Sequence, residues 1–300
     1  MHILLTGSTG FIGRAVQRAL ERAGHTVHGG VSPRRAAGRP GQVAMDFAHD
    51  TAPAAWLPRL AGIDAVVNAV GVLRDTRARP IDALHQHTPV ALFDACAQAG
   101  VRRIVQISAL GIAGSATRYA TTKHAADTHL LGLTAQGAVS GVVLRPSIVF
   151  GRGGASSALF MNLARLPVLV LPGPVLQARV QPVAVHDLAD AVAVLMGTAL
   201  DTTGLIECSG PEAVPMAELI ASLRQQSGHA PARVLRLPDA LSHLSARLGD
   251  QVPALPWCSE TLALLGSDNT ADPAALRRLL GHEATHYRHL VESAWAPSAR

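Results

Sequence analysis

The sequence contains very few aromatic residues, cysteines and lysines, and each shortage limits what the protein can be. Of its 300 residues 3% are aromatic, two are tyrosines and three are cysteines. The 26 lysines and arginines comprise 25 arginines and one lysine, Lys123. With so few aromatic side chains, the core must be built mainly from Leu, Val and Ile. The 48% hydrophobic content is that of a folded globular protein and excludes a disordered chain.

The cysteines argue against a disulfide framework and against a zinc module. Cys96, Cys208 and Cys258 lie far apart and form no Cys-x-x-Cys pair. This spacing is typical of free, buried thiols in a reducing compartment. No basic and apolar leader opens the sequence, and no uncharged apolar run reaches the roughly 18 residues of a membrane span. We therefore predict a cytoplasmic protein without an integral membrane segment, while peripheral association with a membrane stays open.

The charge of the chain indicates a small anionic ligand rather than a nucleic acid. The formal net charge is +5, but the arginines are scattered and no aromatic and basic recognition motif accompanies them. We expect a small-molecule substrate and no nucleic-acid partner. His85 and His87 lie two residues apart without a third ligand nearby, so we predict no metal site. The sequence does not determine the oligomeric state.

The order of predicted elements indicates the fold class. Short apolar runs alternate with longer amphipathic stretches, each of which ends near a glycine. Such a βαβ series predicts an α/β protein with a Rossmann-type, doubly wound parallel sheet. The predicted strands cover 3–5, 25–31, 43–47, 63–70, 103–108 and 141–144, and the helices between them cover 12–23, 81–99 and 119–133.

The same pattern divides the chain into a core and a smaller lobe. Residues 1–150 carry the βαβ series, and a further helix and strand at 180–210 return to it. Residues 151–180 and 211–300 mix prolines with short amphipathic pieces. We predict that these two segments form a small, mostly helical lobe that holds the substrate, and that 159–176 within it is a buried helix followed by a loop.

A glycine-rich loop connects the first strand with the first helix. It reads Thr6-Gly7-Ser8-Thr9-Gly10-Phe11-Ile12-Gly13. Gly7 permits a sharp turn, Gly10 lets the backbone approach a diphosphate, and Gly13 allows close packing of helix on strand. The N–H groups of the helix N-terminus then face the phosphates. A loop in this context predicts a dinucleotide site.

The end of the second strand indicates which dinucleotide binds. NAD sites usually carry Asp or Glu there for the ribose 2′-hydroxyl. This strand is followed instead by Ser32, Pro33, Arg34 and Arg35. A hydroxyl and guanidinium groups suit a 2′-phosphate, so we predict NADP in preference to NAD.

One of the two tyrosines lies four residues before the only lysine. Tyr119 and Lys123 share one face of a predicted helix. With two tyrosines and one lysine, this spacing arises by chance in roughly 2 of 300 random placements. The ammonium group favours the ionised phenol, so Tyr119 can exchange a proton with a substrate oxygen while hydride moves to or from a nicotinamide.

These motifs together resemble the short-chain dehydrogenase/reductase superfamily, and within it the extended and atypical, epimerase/dehydratase-like branches. The resemblance implies that Asp46 and Phe47 lie at the adenine, and that the Asn68-Ala69-Val70-Gly71 segment and Pro146 lie beside the cofactor. It also implies a catalytic Ser or Thr after the fifth strand. That position falls on Ser108 or, one residue later, on Ala109, and the two side chains point to opposite faces of the strand. The implied cofactor contacts are Gly7, Thr9, Gly10, Phe11, Ile12, Gly13, Ser32, Arg34, Asp46, Phe47, Asn68, Ala69, Gly71, Tyr119, Lys123 and Pro146.

The resemblance implies two alternative functions. The first is an NAD(P)-dependent oxidoreductase or epimerase/dehydratase-like enzyme, with Tyr119 as acid/base, Lys123 as its activator and Ser108 as third catalytic residue. The second is a catalytically quiet NADPH-binding protein that acts as a redox sensor or assembly partner. Ala109 and the arginine-rich surface favour the second. The segment Ser108-Ala109-Leu110-Gly111 also resembles the group around the NADPH-binding accessory subunit of respiratory complex I.

Overall fold

The chain forms two compact units. The computed structural model describes residues 1–33, 41–73, 75–77, 79–197, 202–251 and 259–295. The first unit comprises Met1–Pro146, His186–Glu207 and Arg278–Leu280, and the second comprises Ser147–Val185, Cys208–Arg277 and Gly281–Arg300. The sequence placed the corresponding boundaries at residue 150 and at 180–210.

The first unit is built on a seven-stranded sheet with strand order β11-β6-β5-β4-β1-β2-β3. All five strand pairings from β6 across to β3 are parallel, which confirms the predicted doubly wound parallel sheet. The strands of the chain are β1 (His2–Thr6), β2 (Thr26–Val31), β3 (Gln42–Ala44), β4 (Ala65–Asn68), β5 (Arg103–Ile107), β6 (Ser140–Pro146), β7 (Val149–Phe150), β8 (Val168–Pro172), β9 (Arg179–Val180), β10 (Val183–Ala184), β11 (Gly204–Cys208), β12 (Val214–Pro215) and β13 (Arg233–Leu237).

The helices follow the amphipathic stretches of the sequence. A π-helical turn (Ala83–His87) leads directly into α2, and short 3-10 turns occupy Pro53–Ala55, Leu57–Leu60 and Tyr287–His289. No described helix is both long enough and apolar enough to cross a membrane. The α-helices are α1 (Phe11–Arg22), α2 (Thr88–Ala99), α3 (Arg118–Ala135), α4 (Ala155–Arg165), α5 (Gly173–Gln177), α6 (Val185–Gly197), α7 (Met216–Gln226), α8 (Asp239–Asp250), α9 (Ser259–Leu265), α10 (Ala274–Leu280) and α11 (Leu290–Trp295).

The core of the first unit is aliphatic, as the composition requires. Strand β4 is buried along its whole length, because helices cover both faces of a doubly wound sheet. Helix α1 turns Val16, Ala19 and Leu20 towards the sheet. Cys96 and Cys208 are both buried, and burial raises the pKa of Cys96 well above its usual value. Cys258 lies outside the described residues.

The second unit has its own core and, in its described residues, three two-stranded sheets. Its core contains Phe150, Phe160, Met216, Leu219 and Tyr287, among others. The sheets pair β7 with β10, β9 with β12, and β8 with β13. These pairings connect segments that are distant in sequence and give the unit a framework between its helices.

Two local predictions were wrong. The loop predicted after the buried helix in 159–176 contains strand β8, which pairs in parallel with β13, and no local sequence pattern predicts such a distant partner. The third strand ends at Ala44 rather than Phe47, because the Asp46 N–H donates to the Asp50 carboxylate at 2.6 Å and turns the chain.

Candidate dinucleotide and catalytic site

The loop after β1 has no room for side chains at two of its glycines. Gly7 has a φ of +71°, and its carbonyl accepts a 2.8 Å hydrogen bond from the Gly10 N–H. A Cβ on Gly13 would lie 2.0 Å from the Gly7 oxygen, and one on Gly7 would lie 2.8 Å from the Ala69 oxygen. Only glycine fits at these positions, so the backbone itself lines the loop.

The N-terminus of α1 leaves this loop without a side-chain cap. Gly10 is the N-cap residue, and the first turn contains no acidic side chain. The N–H groups of Phe11, Ile12 and Gly13 therefore have no intrahelical acceptor and carry the positive end of the helix dipole. This arrangement fits a diphosphate, the group that a dinucleotide presents at such a loop. Thr9 is exposed, and its carbonyl accepts a hydrogen bond from Arg14 at 2.5 Å.

Buried polar side chains connect the carboxyl ends of three strands. Thr6 donates to the side-chain oxygen of Asn68 at 2.5 Å, and the Asn68 amide donates to Gln106 at 2.7 Å. The Asn68 oxygen also lies 3.3 Å from the Val70 N–H. All three side chains are almost inaccessible to solvent. The chain of hydrogen bonds across β1, β4 and β5 fixes the segment from Asn68 to Gly71 at the sheet edge.

The residues predicted to contact the adenine side lie after β2 and β3. Ser32 is exposed directly after β2, whereas Arg34 lies outside the described residues. The Asp46 carboxylate accepts from the Ala48 N–H at 3.1 Å and lies 2.9 Å from His49. Phe47 contacts Trp56 edge to face, with ring centroids 5.5 Å apart. Both Asp46 and Phe47 are half-buried.

Tyr119 and Lys123 lie one turn apart at the start of α3. Thr117 caps this helix, since its hydroxyl accepts from the Ala120 N–H at 3.3 Å. The ammonium nitrogen of Lys123 lies 5.8 Å from the centre of the Tyr119 ring and donates to the Ile107 carbonyl at 3.3 Å. Lys123 is 3% exposed, and this burial lowers its pKa to about 8. A Cβ on Gly71 would lie 3.5 Å from the ammonium nitrogen, so the Asn68–Gly71 segment adjoins the pair.

His85, which the sequence suggested only as a weak metal candidate, contacts the same group of residues. It lies in the π-helical turn before α2, where its Nε2 accepts from the Val72 N–H at 3.0 Å. Its Nδ1 lies 3.3 Å from the Thr122 hydroxyl, which donates to the Arg118 carbonyl at 2.7 Å. These partners assign the imidazole proton to Nδ1.

The His85 ring also packs edge to face against Tyr119, with centroids 5.3 Å apart and planes at 84°. Burial, together with the charge of Lys123, lowers the pKa of His85 to about 3. His85 is therefore neutral at physiological pH and holds Val72, Thr122 and the Tyr119 ring in place. Among the described residues, no three His, Cys, Asp or Glu side chains gather as metal ligands.

Ser108 donates its hydroxyl proton to a buried carboxylate. The acceptor is Oδ2 of Asp127 at 2.8 Å, and the same oxygen accepts from Arg145 Nε at 2.9 Å. Asp127 is fully buried, and within the described part of the chain its Oδ1 has no hydrogen-bond partner. Burial raises the pKa of Asp127, while the hydrogen bonds from Ser108 and Arg145 oppose the rise. The next residue, Ala109, is half-buried and offers only a methyl group.

The first unit gathers most of the predicted residues at the carboxyl edge of its parallel strands. The glycine loop follows β1, the segment from Asn68 follows β4, Ser108 follows β5, and Pro146 ends β6. The Pro146 carbonyl accepts from the Leu110 N–H at 2.8 Å, which ties together the chain after β5 and the end of β6.

Neither Asp127 nor the place of His85 in the site was predicted from the sequence. Asp127 could have been found, because it follows Lys123 by four residues and so continues the face of Tyr119 and Lys123 on α3. His85 carries no local signal, since its place in the site depends on the tertiary fold.

Comparisons with known proteins agree with this architecture. The sequence model of the NAD dependent epimerase/dehydratase family matches residues 3–203. A ceramide reductase of Caulobacter vibrioides is 28% identical over 246 residues, which is 79% of this chain and 74% of that protein. A UDP-glucose 4-epimerase of Vibrio cholerae is 24% identical over 247 residues, 74% of each protein.

Solved structures share the fold over nearly the whole chain. MoeE5 in complex with UDP-glucuronic acid and NAD superimposes with a TM-score of 0.72 at 20% identity, covering 97% of both chains. The UDP-N-acetylglucosamine 4-epimerase of Bacillus cereus gives a TM-score of 0.72 at 17% identity, covering 98% of both. The resemblance to the complex I accessory subunit stays a prediction. The matched model covers about two thirds of the chain, including every predicted site residue, and the chain belongs to the NAD dependent epimerase/dehydratase family.

Proposed function

We propose that the protein is an NAD(P)-dependent oxidoreductase or epimerase that acts on a small-molecule substrate, with Tyr119 as the acid/base. The observation that carries this proposal is the arrangement of Tyr119, Lys123 and Gly71. The ammonium group is buried one helical turn from the phenol, and it adjoins the segment that follows β4. A lysine that is buried in this position suits a catalytic role better than a role as a solubilising surface charge. We further propose a cytoplasmic location and no nucleic-acid partner.

The glycine loop has a backbone geometry that suits a dinucleotide. Uncapped N–H groups and the close approach at Gly7 and Gly13 suit the diphosphate. When bound, the nicotinamide ring accepts or donates a hydride. The residues proposed to hold the dinucleotide are Gly7, Thr9, Gly10, Phe11, Ile12 and Gly13 at the diphosphate, Ser32, Arg34, Asp46 and Phe47 on the adenosine side, and Asn68, Ala69, Gly71, Tyr119, Lys123 and Pro146 on the nicotinamide side.

In the direction of carbonyl reduction, the Tyr119 O–H bond breaks and its proton goes to the substrate oxygen. Lys123 favours this transfer because its positive charge stabilises the phenolate that remains. Buried His85 packs against the Tyr119 ring and helps to keep that ring in position. The Ser108 hydroxyl donates its hydrogen bond to Asp127, so we propose that Ser108 stabilises that carboxylate. A contact between Ser108 and the substrate requires the hydroxyl to rotate.

NADP is the proposed form of the cofactor. The residues after β2 include Ser32 and two arginines and no acid, which suits a 2′-phosphate better than a free 2′-hydroxyl. Titrating NADPH and NADH against the protein, with nicotinamide fluorescence as the readout, tests this preference. Tighter binding of NADH would overturn it, and binding of neither would overturn the dinucleotide site itself.

Reduction and epimerisation differ in what they do to the cofactor. A reductase consumes NAD(P)H in step with product, whereas an epimerase returns the cofactor to its starting state. The relatives include a ceramide reductase and a UDP-glucose 4-epimerase, so the first substrates to assay are lipid ketones and UDP-sugars. Cofactor oxidation and product formation measured together decide between the two reactions.

The decisive variants change the two tyrosines and the lysine. Tyr119→Phe should reduce turnover by roughly 100-fold or more, since the proton donor is lost. Tyr287→Phe is the matched control, because Tyr287 belongs to the second unit and bonds to Glu218. Full turnover in Tyr119→Phe would contradict the proposed role. Lys123 loses its proton as the pH rises through about 8, so reduction should slow above that pH, and Lys123→Arg should show no such step.

A catalytically quiet NADPH-binding protein is the second candidate. Two observations favour it. The side chain of Ala109 has no hydrogen-bonding group, and the Ser108 hydroxyl already donates to Asp127. Tight NADPH binding without turnover on a broad panel of carbonyl compounds and UDP-sugars would support this function over the first.

A further inference from the structure

Helix α8 in the second unit turns its large apolar side chains outwards. Leu241, Leu244 and Leu248 are 51%, 54% and 57% exposed and follow one another at helical spacing. The residues that α8 buries instead are small: Ser242, Ala246 and Gly249. A helix at a protein surface normally does the reverse, so this leucine stripe needs an explanation.

The β8–β13 ribbon presents a second exposed apolar face. Val168 and Val170 are 41% and 47% exposed, while Leu169 between them is buried. Leu235 of β13 is 53% exposed and lies opposite Val170 in the parallel register, so it shares that face of the ribbon.

Helix α8 lies beside strand β8. Val170 and Ser245 of α8 line the same cavity of about 290 Å³, in which Ser245 is the only polar lining residue. We call the exposed side chains of both elements the aliphatic face: Val168, Val170, Leu235, Leu241, Leu244 and Leu248. These six are among the fourteen strongly exposed large apolar residues in the described chain. Such clustering marks an interaction surface rather than scattered exposure.

Arginines flank the aliphatic face. Arg165, Arg233, Arg236 and Arg247 are exposed on α4, β13 and α8. The acids of these segments are Asp239, which lies 3.5 Å from Arg236, and Asp250, which accepts from Ser259. His243 is the remaining titratable side chain of α8. The four arginines and two acids give these segments a net charge of about +2 beside the aliphatic face.

The chemistry of this surface fits a lipid bilayer better than a protein. The strongly exposed large apolar residues of α8 and of the ribbon are all Leu or Val, whereas protein interfaces are enriched in aromatic residues. Leucines on one side of a helix with cations at the margin are the pattern of interfacial membrane binding. We infer that the aliphatic face docks the protein peripherally on a membrane containing anionic phospholipid.

Co-sedimentation with vesicles tests the inference on the full chain. The protein should sediment with vesicles of phosphatidylcholine and phosphatidylglycerol, and less with phosphatidylcholine alone. The triple variant Leu241→Gln, Leu244→Gln, Leu248→Gln should lower binding roughly tenfold or more, because the inserted apolar area is lost. Arg233→Gln, Arg236→Gln and Arg247→Gln should each cost about fivefold on anionic vesicles only.

A matched control variant tests whether vesicle binding depends on the aliphatic face or on exposed apolar residues in general. Leu57→Gln, Val194→Gln and Leu205→Gln change three exposed apolar residues of the first unit and should leave vesicle binding unchanged. Thermal unfolding and NADPH binding of each variant show that the fold is kept. No sedimentation with either vesicle would overturn the inference. A dimer that the leucine variant dissociates, without vesicle binding, would instead assign the face to a second copy of the chain.

Discussion

The two units of this protein treat polar and apolar side chains in opposite ways. The first unit buries polar groups and satisfies them, as the hydrogen-bonded series of Thr6, Asn68 and Gln106 shows. The second unit exposes large aliphatic groups while burying small ones along α8. A connected set of buried polar groups fixes the backbone at one edge of the sheet, and clustered exposed aliphatic groups mark an interaction surface, so each feature points to a function. For the first unit we propose chemistry at a fixed edge of the sheet, and for the second we propose attachment to a surface.

The largest effect should come from the glycine loop of the first unit. Gly13→Ala places a Cβ against the Gly7 carbonyl, so we expect it to destabilise the fold by about 3 kcal/mol and to abolish NADPH binding. Gly132→Ala in α3 is the control, since no atom lies near its added Cβ, and it should be neutral or stabilising by up to about 1 kcal/mol. Chemical denaturation and NADPH titration measure both. Equal behaviour of the two variants would show that the loop tolerates a side chain.

A slightly smaller effect should follow from breaking the buried ion pair. Asp127→Asn leaves Arg145 buried beside a neutral partner, which should cost about 3 kcal/mol of unfolding free energy. Asp190→Asn removes an exposed partner of Arg22 and should cost less than about 1 kcal/mol. Urea denaturation compares them. An equally small loss of unfolding free energy in both variants would show that burial does not strengthen the ion pair of Asp127 and Arg145.

An intermediate effect should appear only in acid. The folded-state pKa of His85 is about 3, whereas the unfolded side chain titrates near 6.5. Below pH 6.5 the unfolded chain takes up a proton that the folded chain does not, so stability falls as the pH falls. Between pH 6.5 and 5 this amounts to at most ~2 kcal/mol, and His85→Asn should lack it. Melting temperatures at both pH values, with exposed His87→Asn as control, measure the difference.

The smallest effect should come from the leucines of α8. Leu244→Gln should change the free energy of unfolding by less than about 0.5 kcal/mol, because the side chain is already in water. Leu219→Ala, at a fully buried position of α7 in the same unit, should cost about 2–5 kcal/mol. Denaturation in urea separates the two. A large loss in Leu244→Gln would mean that the leucine stripe stabilises the fold rather than serving binding.

Local spacing was enough to predict most of the first unit. Strands and helices from β1 to β6 lie within a few residues of the predicted ranges, because apolar periodicity and helix-ending glycines are local signals. The glycine loop and the helix carrying Tyr119 and Lys123 lie where the sequence placed them. Strand β8 was missed because its partner β13 lies more than sixty residues further along the chain.

The sequence by itself determined which groups could do chemistry: a glycine loop at a helix start, and a lone lysine four residues after a tyrosine. These features rest on neighbours along one backbone, so their geometry follows from helix and strand periods. Only the tertiary structure decided that Ser108 donates to Asp127, that His85 packs against Tyr119, and that α8 shows its leucines to solvent. An amphipathic pattern predicts that a helix has an apolar face and a polar face. Which face is buried depends on the distant segments that pack against the helix.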